Sequence, residues 1–456
     1  MDDRAVRIDL SMTRRRAGQL IAGATLLGMS GLAVGQPSRQ RQPNQPGRAP
    51  EPPEGGPREP KSFLDGVISR DKTRDWIFKP TVHIQSYQED PARVPKDGSR
   101  TITIIPLEFK TAALVFPVIR GTASSESVSD PEQIQSTLTF DDRPVAATPQ
   151  FNDSYHSMVR LGRWEMTDKK GRECELKLEI PMTCWQTRLD ESLAAKATWP
   201  QDGKWGLVGQ STLQPQAMVD QQQPGGDDHA AALRGLLRTL LGDRPPQSMS
   251  PFALAKFLAA KCVERFQKSG SGEQYNRMGL FGGFELQGPT RTIELGRGSP
   301  HDIASVLLGL YRAAGLPARL VIGHDESDRK GDDAGLIKKR RGGVSLRSWV
   351  EFCLYDAEAK KEFWIPVDVV EIRGRSSRPG PLDKPWKYFG THDQLDVVLP
   401  FAHHFIPPTT VVSYGYAFWG WLTMPETQVA SHWLRFEAQT ATKRGGQPKQ
   451  PSKRPS

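Results

Sequence analysis

The chain has 456 residues, of which 37% are hydrophobic and 25% charged, a composition typical of a globular protein with room for more than one domain. Its net charge of +9 is concentrated at the ends, because residues 1–60 carry +3 and residues 441–456 carry +5, which leaves the long middle region nearly neutral. A nearly neutral body disfavours nucleic-acid binding as the main activity, and no internal apolar run of about 20 residues indicates a membrane span.

The first 35 residues have the pattern of an export signal. Three arginines at residues 14–16 precede a modestly apolar stretch over 20–34, and Ala33 and Gly35 are small residues at cleavage positions. A charged region, an apolar region and a small-residue site together indicate a secretory signal, and the paired arginines resemble a twin-arginine signal peptide. We therefore expect export to the periplasm or cell envelope of a bacterium with loss of residues 1–35; an uncleaved membrane anchor is the alternative.

Two further segments are predicted to stay disordered. Eight of the 25 residues from 36 to 60 are proline, mixed with glutamine, glycine and charge, so we interpret residues 36–70 as an extended linker. Residues 441–456 are basic and proline-rich, and we interpret them as a solvated tail.

Residues 71–225 are predicted to form an antiparallel β-sandwich domain. Proline and glycine interrupt this region at short intervals, as they do between the strands of a sandwich. Polar and apolar residues alternate along one predicted strand, where the apolar positions are Cys174, Leu176, Leu178 and Ile180. Near residues 214–228 the composition turns to glutamine, glycine and aspartate, which predicts a boundary before a second domain over 226–440.

Four cysteines in an exported chain allow three disulfide pairings. Cys174 and Cys184 are ten residues apart. On one continuous strand that is roughly 33 Å, far beyond disulfide reach. Cys262 lies on the apolar stripe of a predicted helix, and Cys353 lies within a predicted strand. We favour four buried core residues and leave the disulfide pairing open.

The segment from Ser299 predicts a capped helix. Ser299 can cap the helix, Pro300 suits its first turn and Asp302 completes a capping box. Gly315 is suited to end it. The sequence therefore predicts a helix over 300–314, followed by a strand.

The residues after this helix start carry a resemblance to a known family. The sequence YRAAGLPARLVIG at 311–323 resembles the helix-to-strand signature of the transglutaminase-like superfamily, whose fold is related to papain-type thiol proteases. The sequences SWVEF at 348–352 and FWIPVD at 363–368 are similar to its two later strands. The resemblance implies an α+β fold with a transglutaminase-like (papain-like) core, preceded by the antiparallel β-sandwich domain.

The family uses a Cys-His-Asp triad, with the cysteine at the helix N-terminus, the histidine as proton shuttle and the aspartate orienting it. The resemblance places the cysteine position on Pro300, the histidine position on Arg347 and the aspartate position on Asp368. Proline has no nucleophile, and arginine stays protonated at any working pH. The resemblance therefore implies a pseudoenzyme with a degenerate triad.

Neighbouring residues do not replace the lost triad members. Ser299, His301 and Asp302 lie within one helical turn, where their side chains are expected to diverge. We treat Ser299, His301 and Trp349 as candidates to line a ligand groove.

An ion pair is expected between Arg347 and Asp368, beneath Pro300. A buried aspartate without its histidine would carry an uncompensated charge, which arginine can offset.

Three other clusters were considered for function. Surface loops collect donor residues by chance, so we assign no metal and no cofactor to the possible zinc or manganese ligands His392, Asp393, Asp396, His403 and His404. A solvated loop is favoured over an anion-binding site for Lys338-Lys339-Arg340-Arg341. A core edge is favoured over a ligand-stacking surface for Phe418-Trp419-Gly420-Trp421.

The sequence thus favours an exported, non-catalytic protein that binds or scaffolds a protein or peptide ligand in the cell envelope. The alternative is an active thiol hydrolase or acyl-transferase that uses an unrecognised nucleophile. A hyper-reactive cysteine in the folded protein would favour the enzyme. An envelope spacer without a ligand is a third possibility.

Overall fold

The structure is a computed structural model. It describes residues 61–85, 88–89, 102–103, 106–128, 130–156, 158–221, 227–275, 280–327, 346–406, 418–425 and 431–441. The predicted signal over 1–35, the linker up to residue 60, the basic run over 338–341 and the tail after residue 441 lie outside the described residues. The described residues from Ser62 onward belong to one compact unit.

The strands of the N-terminal half are β1 (Ile68–Gln85), β2 (Gln88–Glu89), β3 (Ile102–Thr103), β4 (Leu107–Ile119), β5 (Ser125–Ser127), β6 (Gln135–Phe140), β7 (Arg143–Pro144), β8 (Gln150–His156), β9 (Val159–Gly171) and β10 (Glu173–Leu189). Those of the C-terminal half are β11 (Gln267–Lys268), β12 (Glu273–Tyr275), β13 (Phe281–Phe284), β14 (Arg297–Gly298), β15 (Ala318–Asp325), β16 (Leu346–Asp356), β17 (Lys361–Val367), β18 (Val398–Ala402), β19 (Gly420–Met424) and β20 (Ser431–Thr440).

The described α-helices are α1 (Glu191–Ala194), α2 (Leu207–Thr212), α3 (His229–Leu241), α4 (Pro251–Arg265), α5 (Gly288–Leu295), α6 (Pro300–Ala313) and α7 (Val369–Arg375). Short 3₁₀ turns lie at Pro131–Gln133, Pro246–Ser248 and Leu395–Val397.

Long antiparallel strands build the largest sheet. In the described part of the chain it has eight strands in the order β12-β13-β20-β1-β10-β6-β7, with β5 also pairing with β10. Strand β1 begins at Ile68, three residues before the predicted start of the β domain. It pairs with β10 on one side and with β20, from the C-terminal end, on the other. The sheet therefore combines strands from both predicted domains.

A second antiparallel sheet, of order β19-β4-β9-β8, contacts the first through apolar side chains. Phe109 of β4 meets Phe140 of β6 edge to face with ring centres 5.8 Å apart. The Trp164 indole donates a hydrogen bond of 3.1 Å to Ser136 Oγ. The β texture predicted for this region is present, whereas its classification as a sandwich stays a prediction.

The C-terminal half is a helix-on-sheet core. Four antiparallel strands are ordered β17-β16-β15-β18, and helix α6 contacts both β15 and β16. Helix α6 is buried nearly all round, as expected of a helix enclosed by other elements. It approaches α3 closely at Gly309, where a Cβ atom would lie 2.4 Å from Leu233 Cδ1. This contact explains a glycine in the middle of a helix, where it is otherwise unfavourable.

Two sequence predictions about the core are confirmed. All four cysteines are buried and free, and Cys174 and Cys184 share strand β10, which continues through Pro181. The segment 418–421 is also interior, because Phe418, Trp419 and Trp421 are each 2% exposed or less.

Candidate functional site

Helix α6 begins at Pro300 with a complete capping box. Asp302 N donates to Ser299 Oγ at 3.2 Å, and Ser299 N donates to Asp302 Oδ2 at 3.1 Å. The proline lacks an N–H group where the helix has no partner for one. The predicted helix and its Ser299 cap are therefore confirmed, and no nucleophilic atom stands at position 300.

The Asp302 carboxylate serves the backbone and not the neighbouring histidine. Its Oδ1 atom accepts hydrogen bonds from Gln287 N at 3.0 Å and Gly288 N at 3.1 Å, which ties the start of α5 to the start of α6. The His301 ring lies against other residues, described below. The expected divergence holds for His301, but it is wrong for the other two residues, because Ser299 Oγ donates to Asp302 Oδ2 at 2.6 Å.

Arg347 of β16 is surrounded by carboxylates. Its Nε atom lies 3.4 Å from Asp368 Oδ2 and 3.7 Å from Asp325 Oδ2. Its Nη2 atom lies 2.8 Å from Glu371 Oε1 and donates to Gln394 Oε1 at 3.1 Å. The expected ion pair between Arg347 and Asp368 is present. It is a single contact within a network of charges and not a bidentate pair. We name Arg347, Asp368, Asp325, Glu371 and His392 the Arg347 cluster.

Asp368 is 1% exposed and has two partners besides Arg347. Its Oδ1 atom accepts Glu371 N at 3.0 Å and caps helix α7. His392 Nε2 lies 3.5 Å from Asp368 Oδ2, while Gln394 N donates to His392 Nδ1 at 3.3 Å. Because Nδ1 accepts that bond, the ring proton of neutral His392 is assigned to Nε2, facing the carboxylate.

Electrostatic interactions keep both Asp368 and Arg347 charged. Burial acts to raise the pKa of Asp368, but the His392 hydrogen bond and the Arg347 charge outweigh it and hold the pKa below its usual value. Burial acts to lower the pKa of Arg347, but Asp368, Asp325 and Glu371 outweigh it and raise the pKa. Arg347 therefore remains a cation and cannot accept a proton.

A second buried constellation lies on the other side of strand β16, because residues 347 and 348 point to opposite faces. His301 Nδ1 lies 2.7 Å from Ser348 Oγ, and His301 Nε2 lies 3.4 Å from Glu273 Oε1. Leu346 N donates to the same Glu273 oxygen at 3.2 Å. Sequence reasoning missed the pairing of Glu273 and Ser348 with His301, since Glu273 carries no local motif, Ser348 was considered only as part of the SWVEF motif, and the two are 75 positions apart.

The three candidate groove residues are interior. Ser299 is 4% exposed, and His301 and Trp349 are each 0% exposed. Trp349 packs among apolar residues of neighbouring strands, including Val321 and Val398. These side chains support the interior of the core and offer no surface to a ligand in this structure.

The candidate metal ligands have separate partners. Asp396 accepts from Arg74 Nε at 2.7 Å, His403 Nδ1 lies 2.6 Å from Leu320 O, and Asp393 pairs with Lys387. His392 belongs to the Arg347 cluster, which sequence reasoning missed because it considered His392 only as a metal ligand. Among the described residues, no three His, Cys, Asp or Glu side chains are grouped to hold a metal ion.

The cysteine thiols are deactivated by burial. Burial raises the pKa of Cys174 to about 12, and it also raises the pKa of Cys184, Cys262 and Cys353. A thiolate is the reactive form of cysteine. In the folded chain these four groups are therefore thiols near neutral pH.

Comparison with known proteins shows that part of the chain is similar to one family. Residues 251–369 match the family model described as the Transglutaminase-like superfamily, and no curated protein matches the chain. A solved structure from Cytophaga hutchinsonii, described as a candidate cysteine protease, is 11% identical, covers 83% of this chain and 95% of its own, and has a TM-score of 0.47. A candidate protease from Parabacteroides distasonis is 9% identical, covers 71% of this chain and 66% of its own, and has a TM-score of 0.19.

The family match runs from the start of α4 to the start of α7. It includes Pro300, Arg347 and Asp368, and the assignment of these residues to the triad positions stays a prediction. Residues 251–369 of this chain are thus similar to the transglutaminase-like superfamily.

Proposed function

We propose that this chain is a non-catalytic, exported member of the transglutaminase-like superfamily that binds or scaffolds a protein or peptide in the bacterial cell envelope. The observation that carries the proposal is the Arg347 cluster. A guanidinium stands at the proton-shuttle position, held by Asp368 at 3.4 Å and Glu371 at 2.8 Å. A permanent cation held in this way cannot act as a general base.

The nucleophile position supports the same conclusion. Pro300 begins the helix where the family has its cysteine, and the four cysteines of the chain are buried thiols with raised pKa values. The Ser348 hydroxyl, which contacts His301, is only 2% exposed and leaves no surface for a substrate carbonyl. The alternative, an active thiol hydrolase or acyl-transferase, therefore lacks a candidate nucleophile among the described residues.

A binding role fits a fold whose framework is retained while its reactive groups are absent. The capping box and the cluster of charges stabilise the same helix and strands that carry the chemistry in active relatives. Function belongs to sites and not to folds, so a stable framework without reactive atoms can serve recognition. The proposal includes no cofactor and no nucleic acid.

The proposed location rests on the sequence of residues 1–35. Twin-arginine signals carry folded proteins across a membrane, after which the chain would lack residues 1–35 and retain no span. No described helix has the length and apolarity needed to cross a bilayer. Intact-mass measurement of the protein isolated from its native envelope tests this location. A full-length mass would exclude cleavage and favour a retained anchor.

Alkylation of the folded protein tests the absence of thiol chemistry. We expect iodoacetamide at about pH 7.5 to leave all four cysteines unmodified in the native protein, because burial removes both access and thiolate. The same chain unfolded in urea should react at all four. A cysteine that reacts faster in the native protein than in the unfolded one would identify a recruited nucleophile and refute the proposal.

The binding half of the proposal needs a separate measurement. The mature chain, immobilised in its native state, should recover one defined protein or peptide from envelope extract, which then binds the purified chain in solution. The heat-unfolded chain provides the control. If the native and the heat-unfolded chain recover the same amount of the protein or peptide, or if it does not bind the purified chain in solution, a spacer without a ligand is favoured.

A further inference from the structure

An open groove lies between helix α4 and the loop that follows helix α7, and its volume is about 610 Å³. Phe257 and Ala260 of α4 line one wall, and Leu382 lines the other. Lys261 and Arg378 add cationic groups to the same lining, and Glu264 adds one carboxylate. Leu382 is 47% exposed, so a large apolar side chain faces solvent beside these cations. We name this site the α4 groove.

The loop wall of the α4 groove is held by hydrogen bonds to its backbone. The Trp386 indole donates to Pro381 O at 2.9 Å, and Lys384 N donates to the same carbonyl at 3.1 Å. Arg373 Nη1 donates to Ser377 O at 3.2 Å and also to Val263 O at the end of α4. The wall is therefore tied to the helix that it faces.

A buried lysine fixes the same loop. Lys256 is 1% exposed, and its ammonium donates to Lys384 O at 2.7 Å while pairing with Glu191 at 2.5 Å. A buried ammonium is costly unless it is fully partnered, so the loop backbone completes its coordination. A wall set in this way loses little conformational freedom when a ligand binds, which favours affinity.

The loop that forms one wall of the α4 groove carries more basic than acidic residues. The segment 373–387 contains five basic residues and one acidic residue, Asp383. Arg378 and Lys384 are exposed and form no ion pair with any described residue. Lys261 by contrast pairs with Glu264 at 2.6 Å. Arg378 in the lining and Lys384 on the same loop are therefore the cations left for a ligand, which indicates a ligand that combines negative charge with an apolar group.

We infer that the α4 groove binds an acidic peptide segment that carries one large apolar side chain. The apolar side chain would cover Leu382 and Phe257, and the flanking carboxylates would contact Arg378 and Lys384. Interfaces combine a central apolar anchor with a charged rim in this way. The inference goes beyond the proposed function, because this site is separate from the Arg347 cluster and does not depend on the absence of catalysis.

The test uses the full mature chain and two fluorescein-labelled heptapeptides. One has three glutamates on each side of a central leucine, and the other has serine in place of the leucine. Binding is measured by fluorescence anisotropy at about 50 mM and about 300 mM salt. We expect the leucine peptide to bind about tenfold more tightly, because it buries an apolar side chain, and both peptides to weaken at higher salt.

Matched variants locate the binding. Arg378→Ser should weaken the leucine peptide about threefold to fivefold, and Leu382→Ser should remove the preference for leucine over serine. Arg234→Ser and Leu207→Ser provide the controls, since both residues are exposed and lie on other helices. Circular dichroism is used to check that each variant is folded, which is expected for surface substitutions.

Three results would overturn the inference. If Arg378→Ser and Leu382→Ser behave like their controls, the peptide does not occupy the α4 groove. If the wild-type chain binds the serine peptide as tightly as the leucine peptide, the surface attracts polyanions in general. If neither peptide binds at either salt concentration, the groove has no affinity for acidic segments.

Discussion

The start of helix α6 and the Arg347 cluster are the two regions to which the sequence resemblance assigns the two halves of the family's catalytic arrangement, and different interactions stabilise them. At the helix start, Ser299 and Asp302 satisfy backbone N–H groups, and Pro300 removes one. At the strand ends, Arg347 neutralises the buried Asp368 and two partly exposed carboxylates, at contacts of 2.8 to 3.7 Å. The interactions at the helix start are between residues close in sequence, whereas those of the Arg347 cluster join segments far apart in sequence.

This difference predicts unequal sensitivity to mutation. A helix cap contributes about 1 kcal/mol and depends little on salt. A buried charge that loses its partner costs about 3 to 5 kcal/mol, because desolvation is no longer offset. The proton-shuttle half should therefore be the fragile one, and the following predictions test that contrast.

The largest effect is expected from Arg347→Ala. The variant leaves Asp368 at 1% exposure without its cation, so we expect a loss of about 3 to 5 kcal/mol in the free energy of unfolding, measured by urea denaturation. Lys170→Ala is the control, because Lys170 pairs with Glu108 while both side chains are 65% exposed. That surface pair should be worth less than about 1 kcal/mol. Equal losses in the two variants would show that the cluster is not a buried charge network.

In Arg347→Ala, the contribution of Asp368 to stability should change with pH in the opposite sense to its contribution in the wild type. The lowered pKa of Asp368 in the folded wild type gives stability that is present above the unfolded pKa of about 3.9 and is lost as the pH falls through the folded value. Without Arg347, burial should raise the pKa of Asp368, so the variant gains relative stability when the carboxyl is protonated. We expect the difference in the free energy of unfolding between the wild type and Arg347→Ala to narrow by about 2 kcal/mol as the pH falls from 7 to 4.

Unfolding of both chains at the two pH values measures this gap. Asp368→Asn in the Arg347→Ala background is the control, because the carboxyl is then absent and the narrowing should largely disappear. A gap that stays constant with pH would assign the loss to packing instead of charge.

Combining Pro300→Cys with Arg347→His should restore a reactive thiol. A cysteine at the first helical position gains from the helix dipole, and an imidazole beside Asp368 can accept its proton. We expect iodoacetamide to modify this thiol about tenfold faster near pH 7 than the thiol of Pro300→Cys alone. Arg347→His alone should show no reactive thiol. Equal alkylation rates in Pro300→Cys and in the double variant would mean that the residue at position 347 does not influence the reactivity of the thiol at position 300.

The smallest effect is expected from Ser299→Ala. Loss of the cap should lower the free energy of unfolding by about 1 kcal/mol, with little change between low and high salt. Ser69→Ala, at an exposed position of β1, should change it by less than about 0.5 kcal/mol. A loss from Ser299→Ala as large as that from Arg347→Ala would remove the contrast between the two halves.

The local features of the site were predictable from the sequence because each is encoded by neighbours along the chain. The cap at Ser299 and the start of α6 follow from residues within one helical turn. The triad positions were assigned from spacing within the family signature and stay a prediction, while alternation correctly predicted the strand that carries Cys174. The ion pair between Arg347 and Asp368 followed from the family arrangement together with the cost of burying an unpaired charge.

Only the tertiary structure decided which distant segments complete the site. His392 reaches Asp368, and Glu273 reaches His301, through pairings that no sequence period records. Burial of Trp349 depends on strands that come from both halves of the chain. The largest sheet likewise depends on β20 returning to β1, although the two are separated by most of the chain. Local patterns specify elements because their interactions lie within a few residues, whereas partners across elements depend on how those elements pack.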